Sequence, residues 1–300
     1  MIAAWARNFP ALKGLNLMVG IVCDSACDLP VEIIRKHDIT VLPCHVLLGD
    51  KEYLDGVTIT PEKIFAYVAE KKELPKTSAP SLLEISDAFT QKLEKYDEVV
   101  SISMSNTISS SCQNMRVAAE TLDREDVIRV IDSENLSTGM GMLVLECAEL
   151  AESGATASEI VEKAAELIKK IRVTFVVDTL KYLYMGGRCS AVKALAGTTL
   201  KLHPCIEMAG GSLHAEKKYR GSTEVCSLKY TDDIIEKLPT AHKKRLCFTY
   251  SFLPSSDFLP KVKKKLDETG LFDEIIVTQA GAVISSHCGP DCMGIIYREE

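Results

Sequence analysis

Short apolar runs alternate with amphipathic stretches along most of the chain. That rhythm predicts strands alternating with helices, and hence parallel α/β architecture. "VGIVCDS" reads as a first buried strand and "PVEIIRKHDI" as a helix with Pro30 near its first turn. "ITVLPCHVLL" reads as a second strand, and "TITPEKIFAYVAEKK" as a helix with Thr60 at the N-cap and Pro61 in the first helical position. "SLLEISDAFTQKLEKY" opens with Ser81 and Glu84 at the spacing of a capping box; Ser110 and Gln113 repeat it in "SSCQNMRVAAETL". "DEVVSISMS" and "VIRVIDS" are the next strands. A long helical pattern follows, broken at "ESGATAS" and resumed to about Ile171.

The pattern then restarts. "RVTFVVDT" is a strand, "LKYLYMGG" a short helix stopped by Gly186 and Gly187, and "SAVKALAG" a helix capped by Ser190. "PCIEMAGGSLHAEKKYRG" alternates on both sides of Gly210-Gly211, a hairpin signal. "RLCFTYS", "EIIVTQA" and "MGIIYRE" supply three more strands. The expectation is two α/β domains with mainly parallel sheets, spanning 18–168 and 169–300, after an N-terminal extension of residues 1–17.

Composition narrows the function classes. With 46% apolar and 26% charged residues, the 300-residue chain has the balance of a globular protein. A formal net charge of -7 argues against a broad nucleic-acid surface, which needs concentrated Lys and Arg. The basic run Lys261–Lys265 reads as a solvated helix face. No apolar stretch approaches the ~20 residues that span a bilayer, and the start makes a poor secretion signal. The eleven cysteines are mostly single and sit in apolar segments, which fits reduced thiols and a cytoplasmic location.

Candidate chemistry collects in five places. "KTSAPSL" and "MSNTISSSCQ" each carry several hydroxyls into the start of a helix, where free N–H groups and the helix dipole favour an anion. Thr77, Ser78, Ser109 and Ser110 are therefore either anion donors or ordinary cap and turn residues. Arg188, in "MGGRCS", either bridges domains or faces the same anion. Arg220, in "KKYRGS", sits after the hairpin with Lys217 and Lys218 and reads as part of an exposed basic edge. "SSHCGPDCMG" allows three readings: half a metal site, a Cys/His catalytic pair, or a binding histidine with packed thiols.

Five motifs occur in order: "CDSACDLP", "TSAPS", "ISSSCQ", "LKYLYMGGRCS" and "HCGPDCMG". Together they make the chain resemble the DegV family of bacterial fatty-acid-binding proteins from about Val19 to Glu300. The resemblance implies a lipid bound between and within the two domains. It implies a fatty-acid carboxylate held by Thr77, Ser109 and His287, with Ser78, Ser110 and Arg188 near the head group or interface. It also implies a fatty acid kinase catalytic subunit as partner, with Arg220 facing it. No catalytic residue, metal or cofactor is expected beyond the bound fatty acid.

The sequence departs from the family pattern at Ala79, Ser110, Cys112 and Asp291. Ala79 removes a polar contact, Ser110 narrows and Cys112 widens the space beside the head group, and Asp291 is expected to raise the His287 pKa if it lies close. Met104, Met140, Met142, Ala194 and Met208 are candidates to line the tail tunnel. A hydrolase or phosphotransferase using the same hydroxyl-rich cleft is the alternative function. No P-loop, kinase Asp–Asn pair or metal carboxylate cluster supports it. A DNA-binding regulator is disfavoured by the acidic balance.

Overall fold

A computed structural model describes residues 17–188, 202–252 and 258–300. The expected helix capped by Ser190, tunnel candidate Ala194 and most of the N-terminal extension lie outside the described residues. The first sheet has the order β2-β1-β6-β7, with β1 Val19–Asp24, β2 Thr40–Leu42, β6 Glu98–Ser103 and β7 Ile128–Asp132. All its pairings are parallel. β1 is buried along its whole length, and its side chains alternate in the strand period. Val22 points to the core beneath helices α3 (Leu82–Leu93) and α4 (Ser111–Thr121). Ile21 and Cys23 point the other way, toward α5 (Ser137–Glu152) and α6 (Ala157–Ile168).

The second sheet has the order β10-β9-β8-β13-β11-β12. Its strands are β8 Ile171–Val176, β9 Leu202–Ala209, β10 Ser212–Arg220, β11 Ala241–Tyr250, β12 Glu274–Gln279 and β13 Met293–Glu299. Val173, Phe175 and Ile296 join the same core as Ile21 and Val100, so α5 lies between the two sheets. The opposite face, with Phe248 and Ile295, packs on α8 (Thr223–Ile235) and α9 (Leu259–Glu268). Val262 and Leu266 of α9 are buried while most of the lysines beside them are exposed, so the basic run is a solvated helix face as expected.

The α/β reading holds, but mainly parallel pairing holds only for the first sheet. In the second, β11–β12 is the single parallel pair and every other pairing is antiparallel. The period of a half-buried strand is the same in either direction, so alternation cannot reveal it. The hairpin at Gly210-Gly211, with φ of 54° and 75°, forms as expected. "ITVLPCHVLL" is two strands rather than one. Beyond β2, the chain leaves the sheet at Pro43, and β3 (His45–Leu48) joins β4 (Lys51–Leu54) and β5 (Lys76–Ser78) in a small antiparallel sheet. This third sheet packs with α2 (Pro61–Lys71) and α10 (Ala282–Cys288). Of the anticipated caps, Ser81 forms its capping box, whereas Thr60 and Ser110 make no side-chain cap bond.

α5 approaches the turn after β1 so closely that Gly141 leaves no space for a side chain. A methyl group there would run into the Cys27 carbonyl oxygen, which belongs to backbone and cannot turn away. Gly141→Ala is expected to destabilise the fold by about 1–3 kcal/mol, measured as a lower urea midpoint at unchanged m-value.

Candidate functional site

A cavity of about 190 Å³ opens where the third sheet, α10, the loop after β6 and the short helix α7 (Lys181–Met185) meet. Its walls bring together Thr77, Ser78, Ser109, Ser110, Arg188 and His287. Segments far apart in the chain thus converge as the sequence reading expected. Arg220 does not join them: it is the exposed last residue of β10, outside the cavity lining. Met104 lines the cavity, whereas Met140, Met142 and Met208 are buried in the core away from it. Cys112 is fully buried and does not line the cavity.

The polar end is built around His287. Its Nε2 lies 2.8 Å from Thr77 Oγ1, which β5 presents beside Val46 of β3. The ring as a whole is half-buried, but its Nδ1 is enclosed and has no hydrogen-bond partner among the described residues. Gly186 packs against that nitrogen with no room for a Cβ. Burial, and then the nearby Arg188 cation, push the His287 pKa down to about 4. This corrects the expectation that Asp291 raises it. Asp291 interacts instead with Asp178 and His203, and burial lifts its own pKa to about 6.

Arg188 donates from Nη1 to the Gly186 carbonyl at 2.6 Å and from Nε to the Ile108 carbonyl at 3.4 Å. Among the described residues it forms no ion pair with a carboxylate. Ser109 Oγ accepts the Ser111 N–H at 3.2 Å and lies 3.0 Å from Ser111 Oγ. It, rather than Ser110, therefore organises the start of α4. Beyond these groups the wall is apolar, with Met104, Leu136, Phe175, Leu213, Val283 and Ile284. Cys288 and Cys292 are buried at this apolar side, and the Cys292 thiol is hydrogen-bonded to Cys288. That bond and burial hold the Cys292 pKa well above the ordinary value, which disfavours a thiolate at Cys292.

The sequence reading missed what holds these walls in register. Asp24, Asp28 and Asp55 are all buried. Asp28 accepts the Gly281 N–H at 2.8 Å and the Ser137 hydroxyl at 2.5 Å. Asp55 accepts the Ala282 N–H at 2.7 Å and the Ser25 hydroxyl at 2.8 Å. Both carboxyls thereby fix the start of α10, the helix that carries His287. Asp24 accepts the Met104 N–H at 3.0 Å and a bond from the Ser111 side chain, fixing the loop that carries Ser109. Burial raises the pKa of Asp24 to about 6 and that of Asp28 to about 8, and it raises that of Asp55 as well. Two acidic residues flanking the short "SAC" at a strand end were the available signal.

Comparison with known proteins gives this arrangement its family. A family model described as "Uncharacterised protein, DegV family" matches residues 18–300. The chain belongs to the DegV family. A DegV domain-containing protein of Caldanaerobacter subterraneus subsp. tengcongensis is 32% identical over 285 residues, covering 94% of this chain and 99% of the relative. A DegV family structure from Thermus thermophilus, described for its fatty acid binding, superposes with a TM-score of 0.85. It is 29% identical and covers 95% of this chain and 100% of its own. A stearic acid-binding protein from Eubacterium ventriosum superposes with a TM-score of 0.81 at 28% identity, covering 94% and 98%. No helix among the described residues is long and apolar enough to cross a membrane.

The aspartates make a pH signature. Asp28 is held protonated in the fold up to about pH 8 but ionises near its ordinary value of 3.8 once unfolded. The folded state therefore holds the extra proton between those values, and stability falls as pH rises through the window. Asp28→Asn, which keeps an acceptor for Gly281, lacks that titration. Its stability relative to wild type is expected to improve between pH 5 and pH 8 in urea unfolding. Parallel curves would show that Asp28 keeps an ordinary pKa.

Proposed function

We propose that this protein binds a long-chain fatty acid, with the carboxylate at Thr77, Ser109 and His287 and the tail in the apolar part of the cavity. The observation that carries this reading is the division of one cavity into a hydroxyl- and cation-lined end and an apolar remainder. An ionised carboxylate accepts hydrogen bonds only, and buried without donors it would be costly. When neutral His287 donates its Nε2–H to Thr77, the threonine keeps its own proton for the carboxylate. Ser109 supplies a second hydroxyl, and Arg188 supplies the positive charge that an imidazole of pKa about 4 does not carry at neutral pH. Each methylene transferred from water contributes roughly 0.8 kcal/mol, so the tail provides most of the affinity. Family membership supports the same ligand class, since related structures are described as fatty acid-binding.

In this reading the protein performs no chemistry itself. It presents the carboxylate to a fatty acid kinase subunit for phosphorylation to an acyl phosphate, within the cytoplasm. Exposed Ser78 and Ser110 put the polar end at the surface, where a partner's active site has access. Exposed Arg220, remote from the cavity lining, serves as a contact for that partner rather than for the lipid.

Organic extraction of the purified protein followed by mass spectrometry tests the ligand class. One fatty acid per chain is expected; an empty extract from protein that also takes up neither palmitate nor oleate would reject it. Thr77→Val should weaken retention roughly tenfold to a hundredfold, the effect of losing a bond to a charged group at about 1.5–3 kcal/mol; His287→Ala, which removes the imidazole that orients the Thr77 hydroxyl, should weaken it less. Arg220→Ala should leave fatty-acid affinity unaltered and slow acyl phosphate formation by the kinase.

A further inference from the structure

Behind the main cavity lies a second space of about 30 Å³, under the second sheet. The two share four wall residues, Leu136, Phe175, Ile284 and Cys288, which stand between them. The far chamber is lined mostly by apolar residues, and four of its hydroxyl-bearing residues, Ser137, Thr174, Thr249 and Ser251, are already engaged with other groups. Ser137 donates to Asp28, and Thr249 is 2.5 Å from the Thr138 hydroxyl. Thr174 is 2.9 Å from the Tyr230 hydroxyl, and Ser251 accepts the Cys292 N–H at 3.1 Å. The chamber exceeds the roughly 10–15 Å³ that one water needs but offers such a water few free partners. Alkyl carbon suits it better than any polar group.

We infer that the wall of Leu136, Phe175, Ile284 and Cys288 sets the tail length this protein accepts, with the chamber beyond it taking the terminal methylenes. This rests on the fatty-acid reading of the cavity. Phe175 is the main element of the wall: it projects from β8 between the sheets and touches both spaces, and its ring can turn only where neighbours yield. A chain that ends before the wall gains nothing from the far chamber. One that passes it gains roughly fourfold in affinity for each methylene buried there, until the chamber is full.

The test is competition binding with unbranched saturated acids from octanoic to stearic, on wild type and two variants of opposite sense. Cys292→Met fills the far chamber with a flexible side chain, and Phe175→Leu lowers the wall without emptying the core. The affinity ratio of stearic to octanoic acid is expected to fall in Cys292→Met, by roughly fourfold for each methylene displaced. In Phe175→Leu the plateau of affinity against length is expected to move to a longer acid. The inference is overturned if both variants keep the wild-type ratio and plateau while still binding fatty acids. Failure of wild type to bind any acid in the series would overturn the fatty-acid reading as well, so the two failures are distinct.

Discussion

The site depends on three carboxyl groups buried within one turn of backbone and the strand beside it. Asp24, Asp28 and Asp55 cannot all ionise in that space, and their raised pKa values express the cost. In return they bind N–H groups from segments that no sheet unites. The loop after β6 hangs from Asp24, and the start of α10 from Asp28 and Asp55. Gly281 makes the second arrangement possible, because a side chain there would press on both carboxyls. Buried backbone donors need partners wherever no helix or ladder supplies them, and these carboxyls are the partners. Remove the hub and the elements carrying Ser109 and His287 lose their common reference.

That hub also explains the electrostatic character of the cavity. The acidic groups face away from it, bound to backbone, while the one cation on its wall is Arg188 among the described residues. A neutral imidazole beside a guanidinium is stable here because burial and the cation both disfavour a second positive charge. The polar end thus combines hydroxyls with a single cation, and apolar residues begin immediately beside them. In the fatty-acid reading proposed above, this puts the head at β5 and the tail toward the second sheet.

Most elements were legible in the sequence because their signals are local. The Ser81–Glu84 capping box, the Gly210-Gly211 hairpin and the short apolar runs of β1 and β8 need only near neighbours to be read. The candidate site residues emerged by a different route. Hydroxyls at helix starts were ambiguous alone, and the family resemblance singled out Thr77, Ser109 and His287, which the fold then gathers in one cavity. What escaped was non-local. Strand direction in the second sheet depends on which strand lies beside which, and β13, last in sequence, fills the place between β8 and β11. The aspartate hub escaped because acidic side chains read as surface until burial is known. Met140 and Met142 show the converse: both are core residues, and composition alone cannot tell a cavity wall from the packing behind it.

A hollow between packed layers carries an energetic consequence. Side chains lining a space lack partners on one side and forfeit dispersion contacts that a filled core would have. The protein tolerates this because α5 packs on both sheets: Gly141 lies against the first turn and Gly139 against Val173, with no space for a methyl at either position. Close packing on each flank keeps the gap from collapsing. A ligand that filled the gap would restore the missing contacts and, by binding the folded state alone, would stabilise the fold by mass action. In the fatty-acid reading proposed above, folding and ligand binding are coupled through the same walls, and the cavity that costs stability when unfilled is the source of the affinity.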